Sequence, residues 1–375
     1  MKKVGILTFH ASHNCGSMMQ AYAMQKQMEK MGLENEIIDF QNEGQKDMYA
    51  VVHKKKNIKN FIKNSLLLFS REKIQRQWDD YEEFKNKTFK LSSEKYSNYN
   101  ELLKSNDKYN IFLSGADQIW NITIKDSDDC YFLNFVDNNK TKIAYAPSFG
   151  AKNILEYSDN PAKYEKFLKS YNHISIRENN GKKWIKDLIN EDVPVVLDPT
   201  LLLGKDDYEG LIESSGVKGD YIFYYAPTYS RKIDSFVKSI SKKYKMPVVV
   251  WNASEYYMKK EYINGFKLPY KINPGTYLDL IKNAKLVITT SFHGTIFSTI
   301  YRKKFFVIKN GNMYSTDDRV ITLVNELAIE NRLIEPNFDS NCNYFEDVDY
   351  NQYEKNLSRL QKESIDFLRG SLEND

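Results

Sequence analysis

The sequence predicts an α/β protein: two Rossmann-like domains facing a cleft, with a helical insertion in the N-terminal domain. Three observations carry this. Apolar runs suited to buried strands alternate with amphipathic helical stretches. The alternation starts afresh in the second half, at DYIFYYA (Asp220–Ala226). A length of 375 residues supplies enough chain for two cored domains. The expected division is residues 1–203, with the insertion at about 41–108, then 204–340, then 341–375 as a C-terminal helical segment able to cross back to the first domain.

VGILTF (Val4–Phe9) reads as a strand and His10–Ser17 as a polar loop. A helix follows from about Met18 to Met31, with Ala21, Met24, Met28 and Met31 on one face. Gly32 ends it and NEIIDF opens the next strand, so this is a βαβ unit of a parallel sheet. The loop lies where open α/β sheets bind ligands, at a strand's carboxyl end. Asn14 and Gly16 are the residues there that can offer amide contacts, although a turn with a capping Asn or Ser is the simpler account. The G-x-G-x-x-G dinucleotide pattern is absent.

Gln41–Lys108 is Lys-rich, studded with Tyr and Phe, and helical in pattern. Its basic stretch Lys54–Lys63 suits an anionic membrane surface, and a solvated helix packed on the sheet is the simpler reading. YNIFLSG (Tyr109–Gly115) is a strand opening into ADQIWN, where Asp117, Gln118 and Asn121 stand beside Trp120. That mixture suits a sugar face, or a buried Trp with turn residues. TKIAYAPSFG (Thr141–Gly150) repeats the strand-and-turn pattern. HISIRE (His173–Glu178) is a short strand ending in Arg177, whose forked donors suit a carboxylate or phosphate. Pairing with Glu178 or another acid is the competing account. VPVVLDPTLLL (Val193–Leu203) gives a strand and a D-P turn.

In the second half RKIDSFVKSISKKY is a helix, MPVVVW a strand and TYLDLIKNA a helix. It leads into KLVITTSFHGTIFSTIYRKK (Lys285–Lys304), a strand, a sharp turn and a helix. Ser291 stands at the N-cap. The peptide N–H groups just after it, on the turn that carries Gly294 and Thr295, lack intrahelical partners and attract anions. Gly294 offers no side chain to block approach, and His293 sets a titratable imidazole on the same turn. A plain βα turn with a Ser cap accounts for the same residues. KFFVIK (Lys304–Lys309) is a further strand, and Arg319 opens the helix RVITLVNELAI, where a cation opposes the helix dipole unless an anion intervenes. From about Gln352 to Leu372 runs a charged amphipathic helix. Arg177, His293 and Arg319 all fall on the cleft side.

With 54 basic against 50 acidic residues, the net charge of +4 does not argue for nucleic acid. Cys15, Cys130 and Cys342 are scattered, odd in number and without C-x-x-C spacing, which argues against a disulfide framework and a structural zinc site and fits reduced cytoplasm. No metal-ligand cluster stands out. The N-terminal apolar run is too short for a signal peptide, and no run approaches a membrane span.

The chain resembles the polysaccharide pyruvyl transferase family. The resemblance rests on N-C-G-S-M-M-Q-A-Y-A-M-Q, F-L-S-G-A-D-Q-I-W-N, A-Y-A-P-S-F-G, I-S-I-R-E, V-L-D-P-T-L-L and V-I-T-T-S-F-H-G-T-I-F, in that order. It implies a GT-B-like fold and transfer of a pyruvyl group from phosphoenolpyruvate, a co-substrate with no further cofactor, to two hydroxyls of a sugar. The acceptor it implies is a sugar, glycan or lipid-linked saccharide, with peripheral contact at the inner membrane face in the last case. It makes His293 the catalytic and donor-binding residue and Arg177 the donor-binding arginine, with Arg319, or else Lys309, as the basic residue after the next strand. Asn14, Asp117 and Gln118 fall on the acceptor side. The same fold would serve a glycosyltransferase using a nucleotide sugar, or a non-catalytic carbohydrate-binding protein.

Overall fold

The computed structural model describes residues 2–52, 68–314 and 317–373. Two parallel sheets organise it. The first runs β3-β2-β1-β4-β5-β6, from β1 (Lys3–Leu7), β2 (Glu34–Phe40), β3 (Leu91–Tyr96), β4 (Ile111–Ser114), β5 (Thr141–Ala144) and β6 (His173–Ile174). The second runs β11-β10-β9-β7-β8, from β7 (Ile222–Tyr225), β8 (Val248–Val250), β9 (Leu286–Thr289), β10 (Phe305–Ile308) and β11 (Leu333–Ile334). Strands such as LVIT are buried along their whole length because helices cover both faces, so they read as unbroken apolar runs. In each sheet the first strand lies inside, with later strands added on both sides. That arrangement opens a crevice at the carboxyl ends.

The insertion is not purely helical. LSSEKY forms the edge strand β3, parallel to β2, and its Ser93, Glu94 and Lys95 are exposed. Its main helix, Arg71–Thr88, buries Tyr81 and Phe84 in the core. It also reaches the second half. Gln77 Oε1 accepts from Ala253 N at 2.8 Å and Asp80 Oδ2 from Ile272 N at 3.0 Å. The basic stretch Lys54–Lys63 lies outside the described residues. VPVVLDP makes only the single bridge Ile176–Val195, because Pro194 has no N–H with which to continue a ladder, and Pro199–Leu202 then forms a 3-10 turn. The first helix begins at Cys15, three residues before the sequence reading, because Asn14 caps it.

One apolar cluster is continuous across both sheets, from Ile6, Met18 and Met24 through Tyr208 to Phe297 and Val287. Tyr208 and Phe297 meet edge to face at 5.1 Å. Truncating such a ring to Ala costs about 3–5 kcal/mol, so this seam holds the halves together. The helix Asn351–Glu373 touches both. Tyr353 OH donates to Thr299 Oγ1 at 3.0 Å, while Ser364 Oγ accepts from Leu197 N at 3.0 Å and Gln361 Nε2 donates to Leu201 O at 2.6 Å.

Candidate active site

The carboxyl ends of the two sheets converge on one buried carboxylate, Asp198. It follows the first sheet and precedes the second in the chain. Its Oδ1 accepts from Thr200 N at 3.0 Å and Thr200 Oγ1 at 2.6 Å, fixing the side chain at the head of the Pro199–Leu202 turn. Its Oδ2 accepts from Arg177 Nη1 at 2.8 Å and lies 3.3 Å from His293 Nε2. Burial pushes the Asp198 carboxyl up, but the His293 ring and the Arg177 guanidinium override it and hold the group well below the usual carboxylate range. An ionised carboxylate only accepts, so the imidazole presents Nε2–H to it.

His293 opens the helix Phe292–Ile300 behind β9. Ser291 caps that helix, its Oγ accepting from Gly294 N at 3.3 Å. Thr295 is buried and turns its hydroxyl back to Ser291 O at 3.0 Å, closing the first turn. Among the described residues the amides of Phe292 and His293 have no acceptor, so the positive end of the helix dipole points out of the turn. Gly294 differs from its expected role. A Cβ there would lie 2.3 Å from Thr289 Oγ1 and 3.0 Å from the Tyr225 ring, so glycine serves close helix–strand packing. Gly16, from the first half, lies under the histidine: a Cβ on it would stand 2.1 Å from His293 Nδ1.

Arg177 is 4% exposed. Besides Asp198 it faces Asp117, whose Oδ1 is 3.6 Å from Nη2, and its guanidinium lies 4.6 Å over the Phe292 ring. Among the described residues its buried Nε has no acceptor. Asp117 leaves β4 at φ 65°, a left-handed position that a short polar residue tolerates, and takes Ser17 Oγ on its other oxygen at 2.5 Å. Glu178 does not pair with Arg177 by hydrogen bond. Its Oε1 accepts from Phe149 N at 2.9 Å, its Oε2 is unpartnered among the described residues, and burial pushes the carboxyl up to about 7 against the pull of Arg177 and Arg319.

Arg319 is gripped by its near neighbour Asp317, which accepts from Nε at 2.8 Å and Nη2 at 2.6 Å. Asp318 beside it accepts from Asn180 N at 2.9 Å, which ties this loop to the one carrying Arg177. Lys309 is apart from the cluster and pairs with Glu335 at 3.6 Å. Asn14 Oδ1 is spent on the amides of Gly16 and Ser17. Gln118 Oε1 accepts from Asn121 Nδ2 at 3.1 Å. Trp120 is fully buried and stacked on Phe132 at 5.3 Å, so its ring offers no face to a sugar.

The structure thus brings together His293, Arg177, Asp117, Gly16 and the Ser291 turn. It adds Asp198, Thr200 and Ser17. The sequence signal for Asp198 was present in V-L-D-P-T-L-L, but a D-P pair reads first as a turn.

A model of the family described as polysaccharide pyruvyl transferase matches residues 14–312. No curated protein matches the chain. Among solved structures, UDP-GlcNAc 2-epimerase from Methanocaldococcus jannaschii is similar at 11% identity, covering 96% of this chain and 92% of that one, with a TM-score of 0.52. UDP-GlcNAc 2-epimerase from Neisseria meningitidis bound to UDP-GlcNAc has 9% identity, coverage of 98% and 99%, and a TM-score of 0.48. The first of these likenesses shows the fold, a GT-B-type pair of α/β domains.

Proposed function

The chain belongs to the polysaccharide pyruvyl transferase family, and on that footing we propose that it moves the pyruvyl group of phosphoenolpyruvate onto two hydroxyls of one sugar as a cyclic ketal. The observation that carries this reading is the Asp198 carboxylate shared by Arg177 and His293 at an uncapped pair of helix amides.

The donor carries a phosphate and a carboxylate. The unpartnered Arg177 Nε, the Phe292 and His293 amides and the part of the Arg319 guanidinium that Asp317 leaves open are the groups we assign to them. His293 gives a proton to the donor's methylene carbon, which becomes the ketal's methyl group. The adjacent carbon takes on oxocarbenium character, and a first sugar hydroxyl adds to it, losing its proton to the imidazole. Phosphate leaves with its bonding pair. The second hydroxyl then closes the ring and loses its proton, leaving inorganic phosphate and the ketal as products. Asp198 stays ionised throughout and offsets the charge of the imidazolium. Asp117 and Gln118 fall to the acceptor side. We place the reaction in the cytoplasm; a lipid-linked acceptor would bring it to the inner membrane face. No helix of the described residues is long and apolar enough to cross a membrane.

Thermal melting with phosphoenolpyruvate tests the reading. At a hundredfold excess over its dissociation constant a specific ligand adds about 2.7 kcal/mol of stability. The shift is expected in the wild type and lost in His293→Ala, and phosphate is released only when a suitable glycan is added. Stabilisation by a nucleotide sugar instead, with none by phosphoenolpyruvate, overturns it.

A further inference from the structure

Between the insertion helix Arg71–Thr88 and the helix Ala253–Lys259 lies a cavity of about 290 Å³. His13 and Tyr49 from the first half, Gln77 and Trp78 from the insertion, and Asn252 and Ser254 from the second half line it. We propose that this cavity is the acceptor subsite and takes one pyranose ring of a glycan. The proposal rests on the pyruvyl-transfer reading for its place in the reaction.

Three observations argue for a sugar. The walls combine rings with amides and hydroxyls, as a pyranose demands, since it has apolar C–H faces and an equator of hydroxyls. His13 stands among aromatic rings, 5.6 Å from Trp78, 5.5 Å from Tyr49 and stacked 5.2 Å from Tyr81. The polar groups are only half spent. Gln77 Oε1 accepts from Ala253 N and Asn252 Oδ1 from Glu255 N at 3.3 Å, so both amide oxygens are fixed by the backbone. Among the described residues the Gln77 and Asn252 NH₂ groups, the Trp78 indole N–H and the Ser254 hydroxyl have no protein partner, leaving oriented donors at the cavity. Finally, the volume lies at the low end of small-ligand sites, about 300–1,000 Å³, which suits one ring better than a nucleotide sugar.

Packed side chains link the wall of the cavity to the candidate active site. Tyr81, under His13, places its hydroxyl 3.0 Å from Cys15 Sγ, and the next residue is the Gly16 on which His293 rests. The cavity and the imidazole are thus joined through one run of packed residues, His13, Tyr81, Cys15 and Gly16. Because Gln77 and Trp78 come from the insertion, that segment would set which sugar is accepted.

Saturation-transfer NMR with a panel of methyl hexopyranosides and their N-acetylated counterparts tests this on the full chain. Trp78→Ala removes a stacking face, and Ser254→Trp fills the cavity without removing a core contact. At least one glycoside is expected to bind the wild type, and each substitution to weaken it about tenfold, the worth of one aromatic contact. Stabilisation by phosphoenolpyruvate should stay unchanged in both variants, which also reports that they fold. Equal glycoside binding in wild type and variants, or binding of no panel member to the wild type, overturns the subsite. Glycoside binding that the variants abolish, without any phosphoenolpyruvate effect in the wild type, would keep the subsite and remove the donor reading instead.

Discussion

Arg177 stands in the loop after the last strand of the first sheet and Arg319 opens the helix Arg319–Glu326 of the second half, and they are held in different ways. Arg177 is almost wholly buried, and its partners Asp198 and Asp117 come from other segments of the chain. Arg319 is only partly buried and its bidentate partner is two residues away. The first is a keystone among segments, since removing it leaves two carboxylates without their cation. The second is a local clasp, whose partner is a near neighbour in the chain. The difference teaches that two cations expected to do the same chemical job can carry unequal shares of the architecture.

Substitutions can break or sharpen that contrast. The largest effect is expected at Arg177. Arg177→Ala strands Asp198 in the interior, and breaking a buried pair in this way costs about 3–5 kcal/mol, read as a large fall in the denaturation midpoint. The same pair governs the acid limb. The Asp198 carboxyl is depressed in the folded protein, so its stabilising effect is complete above the unfolded carboxylate value of about 3.9 and is lost as pH falls through the lower folded value. Asp198→Asn should flatten the acid limb of a melting-temperature profile.

Next comes Gly16→Ala. The added methyl meets the His293 ring, and overpacking of this kind costs about 1–3 kcal/mol. Turnover should fall more than stability does, because the histidine moves off Asp198; a turnover assay beside a melt separates the two. Glu178 gives a smaller effect of opposite sign to Asp198. Its carboxyl is raised to about 7, so its contribution is present below the unfolded value of about 4.3 and lost as pH rises through the folded value. Glu178→Gln should remove that decline between mildly acid and neutral pH in a melting series. Smallest in stability is Arg319→Ala, which should lower the melting midpoint less than Arg177→Ala because its bidentate partner is a near neighbour in the chain and joins no distant segment. If Arg319 helps to hold the donor, the same variant should still lose much of its phosphoenolpyruvate-induced stabilisation. A melt that drops as far as that of Arg177→Ala would erase the contrast between the two arginines.

The sheets were legible in the sequence wherever both faces are buried. LVIT, YNIFLSG and VGILTF carry their strands in plain apolar runs. LSSEKY did not announce itself, because an edge strand buries little and keeps polar side chains. The Ser291 cap and the helix after it were readable, since capping chemistry is local. What Gly16 and Gly294 are for was not. Both pack against residues that only the closed fold brings near, His293 across the halves in one case and Thr289 with Tyr225 in the other. Asp198 was hidden for the same reason: its turn with Thr200 is local, but Arg177 and His293 are not.

Asp198 lies on the stretch of chain between the two sheets, and one of its oxygens is gripped by a residue from each half. The connector is thus also a latch. A single carboxylate on the connector therefore ties one residue of each half to the segment that joins them, so the joining of the halves and the shape of the candidate site depend on the same three side chains.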